Sequence, residues 1–202
     1  VIGIGITPNR QDCLGVFGIA RDLAASGLGK LKIKKDNSQK GSIKSPINIE
    51  TKDTDLCPVF TGRYFKGVKN VQSPDWLQQR LKAVGLRPIS ALVDITNFVM
   101  LDLNRPLHVY DADKIDGKII VRESKKGESF NALDEKSYDL KEGMCTIADE
   151  KKVLGLGGIM GGESSGCNEN TKNVLLESAL FNPINIAKSG RNLSILSDAR
   201  YR

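Results

Sequence analysis

The residues from Ile119 to Phe181 form a succession of short apolar runs separated by polar turns, and this pattern is what most constrains the fold. The runs are IIVRE, CTIAD, KVLGLGG and NVLLESALF, with a turn centred on Asp134 inside NALDEKSYDL. Short runs rich in β-branched residues between turn-forming residues are typical of strands. The pattern therefore predicts a mostly antiparallel sheet core.

Three helices are predicted before this region. The first, CLGVFGIARDLAASG, ends at Gly27, and the glycines within it, Gly15 and Gly18, indicate close backbone contacts. The second, SPDWLQQRLKAVG, has Ser73 as its cap, and its predicted buried stripe is Trp76, Leu77, Leu81 and Val84.

The third helix is predicted to be capped by Ser90 and to end before Pro106, with one apolar face formed by Leu92, Ile95 and Val99. Two early strands, PINIETKD and VFTGRYFKGVK, and a last short helix, PINIAKSGRN, complete the elements. The predicted fold class is α+β, with helices packed on a mostly antiparallel sheet core.

Composition sets wide limits on function. With 202 residues, 40% of them hydrophobic and 27% charged, the chain fits one or two globular domains. A formal net charge of +6 is compatible with RNA but too small to establish it. The basic segment from Lys30 to Lys44 is either an RNA contact or a solvated connector. No apolar run is long enough to cross a membrane.

The cysteines exclude the common zinc motifs. They are far apart, form no CxxC pair and accompany a single histidine; they are Cys13, Cys57, Cys145 and Cys167. Four reduced thiols in a cytoplasmic protein are expected, although the even count also permits two disulfides. Because the chain opens on Val1 and ends on AlaArgTyrArg without a helix-ending signal, we expect a fragment of a longer protein.

The glycine-rich segment from Gly155 to Gly166 is not a nucleotide motif. It lacks the Gly-Lys-Ser/Thr of a phosphate-binding loop, and Met160 stands where the dinucleotide fingerprint requires its third glycine. Glycines allow a ligand to approach the backbone closely. We therefore expect this segment to form the wall of a small-molecule pocket.

Two chemically active side chains stand in apolar surroundings. Glu177 lies in a strand that otherwise reads as buried, so its carboxylate needs a donor: either a ligand hydroxyl or one of Arg87, Arg122 and Arg191. His108 is either a structural histidine or a general base. No serine or cysteine stands in a nucleophile signature, so covalent catalysis is unsupported.

Four stretches resemble one known family in consistent order over nearly the whole chain. They are ITPNRQDCLGVFGIARDLAA, VDITNFVMLDLNRPLHVYD, LGLGGIMGG, and NVLLESALF followed by LSDARYR. These closely resemble the β subunit of bacterial phenylalanyl-tRNA synthetase. By that resemblance, residues 1–40 correspond to the end of the module preceding the editing domain, with a linker. Residues 46–202 correspond to the editing domain, which continues slightly past Arg202 in the family.

The resemblance implies hydrolysis of tyrosine wrongly attached to the tRNA for phenylalanine. Aminoacylation, with ATP and magnesium, belongs to the α subunit of an α2β2 assembly, so this fragment is expected to hold no cofactor and no metal. Cleavage in the family is thought to position a water molecule with help from the terminal ribose of the tRNA. The alternative is a non-catalytic tRNA-binding or subunit-assembly module whose editing site has decayed.

The resemblance also implies site residues. Those near the ester and the tRNA end, expected to be catalytic, are His108, Arg87, Thr96 and Asn97. Those expected to bind the tyrosine are Gly161, Glu177, Ser197 and Ala199, of which Glu177 and Gly161 receive the ring hydroxyl. The chain departs from many relatives in having Val109-Tyr110 where they have Ala-Phe. Ser197 stands where some relatives have threonine, which keeps a hydroxyl.

Overall fold

The structure is a computed structural model that describes residues 2–33 and 38–202. Its α-helices are α1 (Val16–Ala25), α2 (Asp75–Ala83), α3 (Ala91–Leu103), α4 (Pro183–Asn192) and α5 (Asp198–Tyr201). Its first strands are β1 (Ile49–Thr51), β2 (Val59–Lys66), β3 (His108–Asp111), β4 (Ile119–Glu123) and β5 (Ser129–Asn131). The remaining strands are β6 (Ser137–Asp139), β7 (Cys145–Ala148), β8 (Val153–Leu156), β9 (Met160–Gly161) and β10 (Asn173–Leu180).

The strands form three sheets. A five-stranded sheet has the order β1-β4-β7-β8-β9, a three-stranded sheet has the order β2-β10-β3, and β5 pairs with β6 alone. The β1–β4 pair is parallel, whereas the other strand pairs in the described chain are antiparallel. The α+β prediction with a mostly antiparallel core is confirmed.

The main core joins the two larger sheets. It contains the fully buried side chains of Tyr110, Ile119, Leu154 and Leu175, together with Cys57. Because β7 and β8 are buried along their whole length, their sequences read as continuous apolar runs instead of alternating ones. All four cysteines are free thiols, as expected for the reduced state.

The predicted glycines of the first helix lie in close backbone contacts, Gly15 with the end of α3 and Gly18 with the turn before α1. A Cβ added at Gly15 would lie 2.6 Å from the backbone nitrogen of Asn104, and one added at Gly18 would lie 2.9 Å from the carbonyl carbon of Asp12. Both clashes are with backbone, so the close contacts predicted for these glycines are confirmed. Arg202, at the other end of the chain, donates to the carbonyl of Leu14. The N-terminal segment is thereby fixed against the rest of the fold.

The second helix differs from its prediction in its cap. Pro74 is the N-cap, without a side-chain cap bond, while Ser73 Oγ donates instead to Asp94 Oδ2 at 2.5 Å. The predicted buried stripe is only half correct, because Leu77 and Leu81 are buried while Trp76 and Val84 are 53% and 52% exposed. The Trp76 ring packs edge-on against the Phe98 ring of α3, with centroids 5.5 Å apart, on the surface.

The third helix is also less amphipathic than predicted. Ile95, placed on its apolar face by the pattern, is 48% exposed, and Ser90 occupies the N-cap position without a side-chain bond. Asn104 ends the helix in a left-handed conformation with φ 54°. Two strands were missed by the sequence pattern: β3, which begins two residues after Pro106, and the two-residue β9.

Part of the predicted linker, residues 34–37 of the Lys30–Lys44 segment, lies outside the described residues, as does Val1. Helices in the described part of the chain are all too short or too polar to cross a bilayer.

Candidate functional site

A pocket of about 670 Å³ lies between the β2–β10–β3 sheet, the β8–β9 hairpin and the C-terminal helices. Its apolar lining includes Ile147, Leu156, Ile159, Phe181 and Ile186. Its polar lining includes His108, Tyr110, Glu177, Ser197 and three arginines, Arg105, Arg200 and Arg202. A largely apolar cavity with a few convergent polar groups is typical of a small-molecule site.

Glu177 is the only carboxylate among the described residues that line this pocket. Antiparallel pairing places it opposite His108 on β3 and opposite Gly62 on β2. The residue is only 6% exposed, and its Oε2 accepts a hydrogen bond from the hydroxyl of Tyr110. Burial disfavours the charged carboxylate and raises the pKa of Glu177 to about 7, although the bond from Tyr110 acts in the opposite direction.

The sequence left open whether the donor to Glu177 is a ligand hydroxyl or an arginine, and this bond bears on that choice. Its partner is a tyrosine, whereas Arg122 pairs with Glu128 at 2.6 Å and Arg191 Nε donates to the Ala187 carbonyl at 3.4 Å. The arginine pairing considered from the sequence is therefore wrong for those two residues. The donor in the structure is the hydroxyl of Tyr110, a side chain of the protein itself.

His108 is neutral at physiological pH. Burial disfavours the imidazolium and lowers the pKa of His108 to about 4. Its ring packs edge-on against Tyr110, with centroids 4.4 Å apart and an interplanar angle of 79°. The Nε2 atom is buried and has no hydrogen-bond partner within the described residues. An unpaired nitrogen at a pocket costs stability and is a ready contact for a bound ligand.

The ring of His108 lies directly over Gly161. A Cβ added at Gly161 would lie 2.8 Å from His108 Nε2 and closer still to Cε1. Any larger residue would displace the imidazole, so this glycine fixes where the histidine can sit. The glycine-rich segment was expected to form a pocket wall. The structure agrees, since Gly155, Gly158 and Gly161 all line the cavity.

The two C-terminal candidates are positioned by the start of α5. Ser197 is its N-cap and accepts from the backbone N–H of Arg200 at 3.2 Å, while its own hydroxyl donates to the Ile159 carbonyl at 2.7 Å. The same serine thus holds the helix against the loop before β9. Ala199, one residue into the helix, lines the pocket beside it.

The structure brings together five of the expected site residues, His108, Gly161, Glu177, Ser197 and Ala199. Arg87, Thr96 and Asn97 do not line this pocket. Arg87 is exposed in the segment after α2, and Thr96 and Asn97 are half-buried on α3, where Thr96 Oγ1 donates to the Val93 carbonyl at 2.7 Å. Their expected catalytic role stays a prediction.

Tyr110 is the site residue whose role the sequence did not reveal, since the sequence marked it only as a departure from many relatives. Alternate residues of a strand share one face, so His108 and Tyr110 point the same way once β3 is recognised. The strand was missed because it has only four residues and only Leu107 separates it from the helix-ending Asn104–Pro106 segment. The three arginines were likewise not assigned to the pocket; Arg200 Nη1 donates to the Ile195 carbonyl at 2.7 Å.

A cluster of potential metal ligands lies outside the pocket, around the start of α1. Asp12, Cys13 and Asp22 form the one cluster of potential metal ligands among the described residues. Arg10 pairs with both aspartates, at 3.0 Å and 2.5 Å, and Arg21 also pairs with Asp12. Because arginines already neutralise these carboxylates, the cluster is best explained as an ion-pair network.

Comparison with known proteins agrees with this architecture. A family model described as the B3/4 domain matches residues 56–202. The chain belongs to the B3/4 domain family. This B3/4 domain, with the N-terminal segment before it, is 57% identical over 202 residues to the phenylalanine–tRNA ligase β subunit of Bradyrhizobium diazoefficiens. It is 56% identical over the same length to the corresponding subunit of Rhodopseudomonas palustris.

Both matches cover 100% of this chain but only 25% of each relative, so the chain spans about a quarter of the length of these proteins. The resemblance to the synthetase β subunit is thereby confirmed. A crystal structure of an N-terminal fragment of the phenylalanyl-tRNA synthetase β subunit from Pyrococcus horikoshii has the same fold, with a TM-score of 0.52 at 18% identity. That match covers 93% of this chain and 58% of the fragment.

Proposed function

We propose that this B3/4 domain hydrolyses tyrosine from tRNA that should carry phenylalanine, as part of a phenylalanine–tRNA ligase. The observation that carries the proposal is the buried carboxylate of Glu177 at the pocket, opposite His108. Tyrosine and phenylalanine differ by one hydroxyl. An apolar site rejects that hydroxyl weakly, whereas a site built to bond it discriminates by roughly 10⁴-fold. A buried acceptor is the group such a site needs.

The pocket favours attack by water over a covalent intermediate. Its serine, Ser197, uses its hydroxyl to bond a backbone carbonyl and has no basic side chain bonded to it. None of the described pocket residues is a cysteine. His108 is neutral and its Nε2 is unpaired, so it is suited to orient a water molecule or the terminal ribose.

The cations of the pocket suit the tRNA end. Arg105 is exposed, and Arg200 and Arg202 are half-buried beside it in the lining. Guanidinium groups bind phosphate well, because their donors match phosphate oxygens in pairs. We infer that the tRNA terminus enters on this side, with the amino acid directed towards Glu177.

The remaining parts of the proposal follow the family. Residues 46–202 would be the editing unit, and residues 1–40 the end of the preceding module. The partners would be the tRNA for phenylalanine and an α subunit that performs aminoacylation with ATP and magnesium, in an α2β2 assembly in the cytoplasm. Arg87, Thr96 and Asn97 would act only if the bound tRNA reaches α3 and the segment before it.

A second candidate is a module for subunit assembly without hydrolysis. It is favoured by an apolar groove between α1 and α3, where Val16, Leu28 and Ile33 are 62%, 77% and 76% exposed. Contiguous exposed apolar side chains are typical of protein contacts. The two candidates differ in whether the pocket cleaves an ester.

The deciding experiment is deacylation of tyrosyl-tRNA and phenylalanyl-tRNA, both made on the tRNA for phenylalanine, by the complete α/β enzyme that contains this chain. We expect release of tyrosine at least tenfold faster than release of phenylalanine. Release of neither above the uncatalysed rate would reject the editing proposal and leave the assembly role.

A further inference from the structure

Tyr110 and Glu177 form a buried pair on neighbouring strands. Tyr110 is paired with Leu175, so Glu177 is its diagonal neighbour on the same face of the sheet. The two residues are 1% and 6% exposed, and the tyrosine hydroxyl donates to Glu177 Oε2. Both also line the pocket.

This bond uses only half of the carboxylate. An ionised carboxyl group has two acceptor oxygens. Oε1 of Glu177 has no hydrogen bond to any residue in the described ranges 2–33 and 38–202, and it is not among the fully buried polar atoms that lack a partner. It is therefore the oxygen left to accept from a ligand.

The bond also affects the charge of the carboxyl group. Burial raises the pKa of Glu177 to about 7, and donation by Tyr110 lowers it. The other titratable groups close to Glu177 are His108 on β3, Cys145 on β7 and Cys57 before β2. On β2 the residue opposite Glu177 is Gly62, which has no titratable side chain. Burial keeps His108 neutral and raises the pKa of the Cys57 thiol to about 11 and that of the Cys145 thiol to about 12, so none of the three supplies a compensating charge at neutral pH.

The three arginines of the same pocket are the remaining charges, and each donates to a backbone carbonyl: Arg105 to Ala179, Arg200 to Ile195 and Arg202 to Leu14. Tyr110 is consequently the one side chain with a hydrogen bond to Glu177 in the described chain. Its hydroxyl both orients the carboxylate and favours its ionised form.

We propose that Tyr110 is a positioning residue that sets the specificity of this pocket: its hydroxyl holds Glu177 with Oε1 free to accept the para-hydroxyl of an aromatic amino acid. The inference deepens the proposed function and rests on it for the identity of the substrate. The opposite hypothesis is that the Tyr110 hydroxyl competes with the ligand hydroxyl for the Glu177 carboxylate. The two hypotheses differ in the effect expected when the Tyr110 hydroxyl is removed.

The test is Tyr110→Phe, which removes the hydroxyl and keeps the ring that packs on His108. Binding of L-tyrosine and L-phenylalanine is measured by calorimetry on the complete enzyme from pH 6 to 8.5, beside deacylation of the two aminoacyl-tRNAs. Tyr138→Phe is the matched control, since Tyr138 also donates its hydroxyl to a carboxylate, Asp134 Oδ2 at 2.7 Å, outside the pocket.

We expect Tyr110→Phe to reduce the preference for tyrosine about tenfold at pH 7, the ratio that one hydrogen bond to a charged group supplies. The preference should recover in part as the pH rises, because Glu177 of the variant ionises at higher pH, while the part due to orientation stays lost. KM for tyrosyl-tRNA should rise with kcat little changed, and Tyr138→Phe should match the wild type.

An unchanged or stronger preference for tyrosine in Tyr110→Phe would overturn the inference, as would a reduction that does not vary with pH. A wild type that binds both amino acids equally would overturn it too. A wild type that binds tyrosine selectively but cleaves neither ester would reject the editing proposal alone.

Discussion

His108 and Glu177 are directly opposite each other on neighbouring antiparallel strands, and burial shifts their ionisation in opposite directions. The pKa of His108 is lowered to about 4 and that of Glu177 is raised to about 7. The imidazole therefore loses its proton before the carboxyl group does as the pH rises. Between these values both groups are neutral, and no hydrogen bond joins the two side chains in the described chain, so the pair is not a histidine–carboxylate dyad of the kind that activates a nucleophile.

Replacing Glu177 by alanine should abolish most of the discrimination between tyrosyl and phenylalanyl esters. The variant removes the buried acceptor, and we expect the ratio of kcat/KM values to fall about 100-fold, because a ligand hydroxyl would then enter without a partner. Deacylation of the two aminoacyl-tRNAs by the complete enzyme measures this ratio. The matched control is Glu163→Ala, an exposed glutamate outside the pocket. Equal loss in both variants would contradict the assignment.

His108→Ala should slow cleavage about tenfold or more while leaving the preference for tyrosine intact.

In the wild type, kcat should show no step near pH 6.5, because burial lowers the pKa of His108 to about 4 and the ring stays neutral above it. KM for the tyrosyl ester should instead fall as the pH rises through about 7, where Glu177 ionises. A kcat profile that titrates near 6.5 would show that the imidazolium takes part.

Much of the fold could be predicted because its elements carry local signals. The strand runs from Ile119 to Phe181 depend on neighbouring residues and were placed correctly. The glycines of α1 were also marked correctly as close contacts, although Asn104, the partner of Gly15, is distant in the sequence and was not predicted. The buried stripe of α2 was half wrong because periodicity selects a face without showing how much of it a partner covers. Trp76 fits the pattern, yet its ring meets only the edge of Phe98 and stays half exposed.

The pocket was harder to predict than the fold. Glu177 and the glycines were singled out because a carboxylate or a glycine run is unusual in an apolar segment. The role of Tyr110 depends on the register of β3 with β10, which joins residues 67 positions apart. No local pattern in the sequence encodes that pairing, and a tyrosine in a buried strand is otherwise ordinary.

Gly161→Ala should impair the site without unfolding the chain. The added methyl group would lie 2.8 Å from His108 Nε2, so the ring must move. We expect cleavage to fall about 100-fold, since displacement of a positioned group by about 1 Å has this effect. Gly29→Ala is the control, because a Cβ there meets nothing within 4 Å. Circular dichroism verifies the fold of both variants, and an active Gly161→Ala would show that the position of His108 is not critical.

Glu177→Gln should stabilise the chain at alkaline pH at the expense of specificity. The pKa of Glu177 is about 7 in the folded state and about 4.5 when unfolded. The stability associated with the neutral carboxyl is therefore fully present below pH 4.5 and is lost as the pH rises through 7. The difference between the folded and unfolded pKa values corresponds to about 3 kcal/mol of folding free energy. Glutamine does not ionise, so the variant keeps this free energy at alkaline pH.

The measurement is the free energy of unfolding in urea at pH 5 and at pH 8, for the wild type and Glu177→Gln. His108 changes stability in the opposite sense, since its pKa is lowered and its contribution grows as the pH rises from 4 to 6.5. That contribution is common to both proteins, so it cancels from their difference. We expect the variant to gain on the wild type by about 2.5 kcal/mol between the two pH values, because part of the full difference is already lost at pH 5. An equal difference at pH 5 and pH 8 would show that Glu177 titrates normally, and the carboxyl group would then be solvated in the pocket.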